Sequence, residues 1–177
     1  METVTAPLGI GDVNSDARGS GARFNTGKPP FELLPLRTIM RGDSERHSGH
    51  PARLVLDYLG DWQAGYGEDH SNLHYALDAA CDVERTFELS DLADAAHVFD
   101  YGRRKYAEWN WAKGMSWSIP LACAVRHCLA ALSGEETDPE SGQPHMAHVK
   151  CNIIMLMLFA ETFREGDDRP VKWLNQA

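Results

Sequence analysis

SIPLACAVRHCLAALSGEETDPESGQPHMAHVKCNIIMLMLFAETFR, Ser118 to Arg164, decides the fold. Two long stretches without strand alternation flank one Gly- and Pro-marked loop. Ser118 is an expected N-cap, and Pro120 is tolerated in the first helical turn. That helix is expected to run to about Ser133 and to end at Gly134. Ser141 is the expected cap of the next helix, with Pro144 accepted only because it sits in the first turn, and Gly166 closes it. Within it, Ile153 to Phe159 is hydrophobic all round. Such a helix belongs at the centre of a bundle or between subunits, and a homo-oligomer is expected.

Upstream, Ser90 reads as an N-cap for a helix over Ser90 to Glu108, with Asp91 and Asp94 in its first turn. Leu92, Ala95, Ala96, Phe99 and Tyr106 fall near one face of it. Leu54–Trp62 and Leu73–Asp82 read as weaker helices. No strand alternation and no internal repeat stands out. The expected fold is all-α: a compact helical bundle forming a single domain over 23–177. Residues 1–22 are rich in Gly, Ser, Asp and Ala without apolar period and read as a flexible arm.

The chain has 177 residues and a formal net charge of −9. That balance argues against direct nucleic-acid binding, which needs a basic face. It leaves a nucleotide enzyme open, because cations offset the repulsion. Cys81, Cys123, Cys128 and Cys151 form no CxxC pair and read as reduced thiols. No signal peptide opens the sequence, and Ile153 to Ala160 is too short to cross a bilayer. A cytoplasmic protein without membrane contact is expected.

The loop between the two long helices carries Glu135, Glu136, Asp138 and Glu140. His127 lies about two turns before the end of the first helix. His145, His148 and Asn152 form an i, i+3, i+7 stripe on the second. A helix hairpin brings these imidazoles to the acidic loop, and oxygen-rich sites of this kind suit Mg²⁺ or Mn²⁺. The alternative is structural: acidic residues offset a helix dipole, and the histidines are packed core groups. A second cluster runs Tyr101-Gly-Arg-Arg-Lys-Tyr106 and then Trp109-Asn110-Trp111. Cations beside aromatic rings suit phosphate and base, or they form a solvated turn over buried tryptophans. Lys28 in Gly27-Lys28-Pro29 lacks the frame of a phosphate-binding loop.

The ordered strings GARFNTGKPPFELLP (21–35), YGRRKYAEWNWAKGMSWS (101–118), AVRHCLAALSGEETDPESGQPHMAHVKCN (124–152) and DDRP (167–170) resemble a phage-encoded family, the dATP/dGTP diphosphohydrolase N-terminal domain. Its members are associated with MazZ-type nucleotide pyrophosphohydrolases of phages that replace adenine by 2-aminoadenine. The resemblance implies cleavage of a purine deoxynucleoside triphosphate to monophosphate and pyrophosphate, in the host cytoplasm. It implies an active region of Arg126, His127, Glu135, Asp138, Glu140, His145 and His148; from their clustering, His127, Glu135 and Asp138 are expected to be catalytic, and Glu135, Asp138, Glu140, His145 and His148 to be metal ligands. The resemblance also points to Lys28, Lys105, Tyr106, Asn110, Trp111, Asp168 and Arg169 as pocket elements, and Arg126 is expected to join them in binding substrate. Against it, residues 41–89 look like an insertion. The related MazG-like enzymes carry an EExxE helix followed by ExxD; Glu135-Glu-Thr-Asp138 has the ExxD form, but no EExxE precedes it. A metal site built with histidines, or a nucleotide-sequestering protein without turnover, both fit that departure.

Overall fold

Helices form the framework of the described residues, which are 11–24, 27–41, 49–82 and 88–175 of a computed structural model. In chain order they are α1 (Leu36–Arg41), α2 (Pro51–Gln63), α3 (Ser71–Cys81), α4 (Ala93–Lys105), α5 (Ser118–Leu132), α6 (His145–Thr162) and the short α7 (Val171–Leu174). No strand forms among the described residues. None of their helices is long and apolar enough to cross a membrane.

α6 is the central element. It packs along α5 and also meets α3 and α4. This explains why its sequence is apolar all round: Val149, Ile153, Leu156 and Phe159 are fully buried inside one chain. α2 packs against α1, α3 and α5. The region read as an insertion therefore contributes to the common core, where Leu59, Trp62, Leu73 and Leu77 are buried. Trp62 stacks on Trp117 at 5.8 Å, joining α2 to the start of α5.

The helix boundaries differ from those expected. Ser90 does not cap α4. Glu88 and Asp91 form a capping box around a 3-10 turn at Leu89–Leu92, and α4 proper begins at Ala93. It stops at Lys105, because Ala107 (φ +151°) and Trp109 (φ +57°) leave the right-handed region. Ser118 is the first residue of α5, not its cap; the Asp168 carboxylate accepts its N–H at 2.8 Å and its hydroxyl at 2.5 Å. An acidic side chain from 50 residues away thus satisfies this helix end. α6 begins at His145, not near Ser141. The Pro144 carbonyl accepts from Ala147 and His148, and Ser141 belongs to the loop before it.

Residues 11–22, read from composition as part of a flexible arm, lie along the 110–114 turn. Gly19 N–H donates to Lys113 O, Gly21 N–H to Gly114 O, and Arg18 reaches the carbonyls of Ala112 and Thr162. Composition could not register these partners, which are backbone groups about a hundred residues away. Residues 1–10 of that arm lie outside the described residues.

Candidate functional site

The α5–α6 hairpin brings the imidazoles together as its sequence suggested. Gly134 (φ +89°) ends α5, and the loop then folds back on itself. Asp138 N–H donates to Gln143 O, Gly142 N–H donates to Asp138 O, and Thr137 bridges Pro144. This fixes Asp138 against the first turn of α6. His127 Nδ1 lies 2.8 Å from His145 Nδ1, and the His127 ring stacks on His148 at 4.3 Å. Donor atoms of His127, Asp138 and His145 all lie within 4.8 Å of one another, a set that could hold a metal ion.

Electrostatics sets the protonation of this cluster. Burial disfavours an ionised Asp138, but the Ser141 N–H and hydroxyl, with His148 and His127 beyond, hold its carboxyl below the usual range. Burial, reinforced by neighbouring His127, pulls His148 down to about 4. His148 is therefore neutral at pH 7, with Nε2 2.7 Å from Ser141 Oγ. His145 is buried, and its Nε2 has no hydrogen-bond partner; the nearest acid is Glu135 Oε2 at 3.5 Å. An orphaned, buried nitrogen in such a cluster is a feature that calls for a reason.

Glu140 lies apart from the His127–Asp138–His145 set. Its carboxylate pairs with Lys105, which holds its carboxyl below the usual range. The acidic residues of the preceding helix region are also spoken for. Asp94 pairs with buried Lys150 at 3.0 Å, Asp91 lends its carbonyl to the same lysine, and Asp100 takes Arg103 and Arg104. Among the described residues, both acidic side chains of α4, Asp94 and Asp100, are thus paired away from the cluster.

A cavity of about 370 Å³ opens in front of the histidines. Of the residues expected to bind substrate, Lys28, Lys105, Tyr106, Asn110, Trp111 and Arg126 all line it. The ring of Trp111 sits 4.9 Å from Phe99 on the apolar wall. Asn110 is buried, and both ends of its amide are engaged by Ala22. Asp168 and Arg169 lie elsewhere: Asp168 caps α5, and Arg169 stacks on Trp62 and Trp117 while pairing with Asp167.

Two lining residues, Arg23 and Phe24, and the loop residue Ser141 escaped sequence reasoning. Arg23 and Phe24 were given no role of their own, and Ser141 was read as a helix cap. Arg23 Nη2 contacts Cys123 Sγ and Asn152 Oδ1, each at 2.9 Å. Burial opposes ionisation of Cys123, yet Arg23 and His127 beside it bring the thiol well below its usual range. Only the position of Cys123 four residues before His127 hinted at a pairing. The four cysteines are free, as expected.

Residues 87–169 match the family described as dATP/dGTP diphosphohydrolase, N-terminal. The match covers just under half of the chain. The matched segment includes His127, the acidic loop, His145 and His148, while Arg23 and Lys28 enter the cavity from outside it. Comparisons with curated proteins and with solved structures give no significant match.

Proposed function

We propose that this cavity binds a purine deoxynucleoside triphosphate, dATP or dGTP, and hydrolyses it to the monophosphate and pyrophosphate, in phage nucleotide metabolism. One observation carries the reading: a single cavity joins a His–Asp cluster to a wall of cations and aromatic rings, within a chain whose 87–169 segment matches the diphosphohydrolase family. His127, Asp138 and His145 would hold the divalent cation, Mg²⁺ or Mn²⁺. The depressed carboxyl of Asp138 and the 2.8 Å approach of His127 Nδ1 to His145 Nδ1 fit that use. Two imidazoles to one carboxylate favour Mn²⁺ over Mg²⁺, which prefers oxygen.

The cation, when bound, supplies charge neutralisation for phosphate oxygens and acidifies water. Lys28, Lys105 and Arg126 bind the phosphate chain, and Tyr106 and Trp111 flank the base. Glu135, half-exposed at 3.5 Å from His145 Nε2, accepts the proton of the attacking water at Oε2. The water oxygen joins the α-phosphorus, the α–β anhydride bond breaks, and pyrophosphate leaves with the bridging oxygen. His148 stays neutral and orients Asp138 through Ser141.

The second reading is a nucleotide-sequestering protein without turnover. It is favoured by the engagement of Asp91, Asp94 and Asp100 elsewhere, which leaves the site with fewer carboxylates than an EExxE helix would bring. Incubation with each of the four dNTPs, with Mg²⁺, Mn²⁺ or EDTA, separates the two. Metal-dependent release of dAMP or dGMP with pyrophosphate is expected, lost in Glu135→Gln and Asp138→Asn. Intact triphosphates after long incubation would establish the sequestering protein instead.

A further inference from the structure

Arg23 enters the cavity on a strap that is pinned on both sides. Before it, Gly21 N–H donates to Gly114 O at 2.9 Å. Asn110 then grips Ala22 twice: its Oδ1 accepts from Ala22 N–H at 3.3 Å, and its Nδ2 donates to Ala22 O at 3.0 Å. After it, Phe24 N–H donates to the Tyr106 hydroxyl at 3.2 Å. A buried asparagine and a tyrosine hydroxyl thus fix the backbone of the residues either side of Arg23. Side chains that look like ligand contacts in sequence are spent on aiming a third one.

What they aim is a cation without a carboxylate. The guanidinium of Arg23 contacts Met155 Sδ at 3.4 Å, Cys123 Sγ at 2.9 Å and Asn152 Oδ1 at 2.9 Å. Taking an arginine out of water costs several kcal/mol unless an anion answers it. Among the described residues, no carboxylate of the cavity wall pairs with it. Glu140 is committed to Lys105, and Asp138 and Glu135 face the histidines.

We propose that Arg23 is a substrate-binding residue that receives the phosphate chain at the floor of the cavity, and that Asn110 and Tyr106 are positioning residues for it. The guanidinium offers a planar fork of donors matched to phosphate oxygens. The ligand class is a linear polyphosphate, free or carried by a nucleoside. This deepens the proposed function and rests on it for the nucleoside part alone.

The test uses inorganic tripolyphosphate in EDTA, titrated calorimetrically into the full chain well below its unfolding temperature. The wild type is expected to bind. Arg23→Met is expected to weaken binding roughly thirtyfold or more, as loss of one partner of a desolvated charge pair does. Its ligand-free unfolding temperature should fall, because buried Asn152 Oδ1 loses its donor, so binding is compared well below both transitions. Arg23→Lys keeps the charge without the fork and should bind severalfold more weakly. Asn110→Ala and Tyr106→Phe should weaken tripolyphosphate while leaving Mn²⁺ affinity unchanged, a split that general loosening of the site would not give. Wild-type affinity in Arg23→Met overturns the proposal. If that variant does not fold, wild-type affinity in Arg23→Lys overturns it, as does absence of tripolyphosphate binding to the wild type. The dNTP product assay on the wild type judges the hydrolase reading separately. Turnover with Arg23→Met binding intact sinks this inference alone. Absent turnover with Arg23-dependent binding sinks the hydrolase alone.

Discussion

His127 and His145 meet Nδ1 to Nδ1 at 2.8 Å across the seam of α5 and α6. Two imidazole nitrogens that close share either one proton or one cation. His145→Gln is therefore expected to lower Mn²⁺ affinity by roughly a hundredfold, at or above the range seen for loss of an outer-shell partner. Glu140→Gln should leave it unchanged, because that carboxylate is committed to Lys105. Isothermal titration of Mn²⁺ into both variants checks this. Equal losses would place Glu140 among the ligands.

Asp168 gives a prediction that separates structure from substrate. Its carboxylate takes the N–H and hydroxyl of Ser118 at the start of α5. Asp168→Ala should cost about 1–2 kcal/mol of stability, as loss of a helix cap does. Triphosphate affinity should not change, since the residue is remote from the cavity lining. Denaturant midpoints and nucleotide titration of the same variant read both.

Gly114 turns at φ +92° with the Phe163 ring against it, and an added Cβ would lie 2.6 Å from Phe163 Cγ. Gly114→Ala is expected to destabilise by about 2–4 kcal/mol, from backbone strain and overpacking together. Adding Phe163→Leu should recover part of that loss, a coupling that a double-mutant cycle in urea measures.

Acid should unfold the metal-free protein through its neutral histidines. Burial, with Arg169 and Arg164 nearby, lowers His70, whose Nδ1 accepts from the Trp62 indole N–H at 3.0 Å. His148 is lowered to about 4. A base whose folded pKa lies below its unfolded value, near 6.5, binds more protons when unfolded. Stability is then complete above pH 6.5 and falls as pH drops towards 4. His70→Asn, which keeps an acceptor and tolerates the left-handed φ of +60° at that position, should flatten this slope. An unchanged slope of unfolding temperature against pH would remove His70 from the account.

The helices were legible where periodicity is strong and caps are local. α5 and α6 were readable from one stretch because their apolar residues and the intervening Gly and Pro agree. The convergence of His127, Asp138 and His145 followed from hairpin geometry. What failed was long-range. Nothing near Ser118 in sequence indicates that Asp168 caps it, and nothing near Ala22 indicates that Asn110 holds it. Glu140 and Asp138 look alike in an acidic loop. Only the reach of Lys105 sets one apart, while Ser141 aims the other at the histidines. Arg23 carried no signal because its partners are two sulfurs and an amide.

The 87–169 segment rests on side chains it does not own. Leu59, Trp62, Leu73 and Leu77, from α2 and α3, are buried beneath α5 and α6, and the Trp62–Trp117 stack ties the two parts together. Cut free, the segment would turn the undersides of α5 and α6 to water. The limits drawn by sequence similarity are thus narrower than the limits of cooperative unfolding. A gene trimmed to the similar region would encode the histidines, yet not a protein able to hold them still.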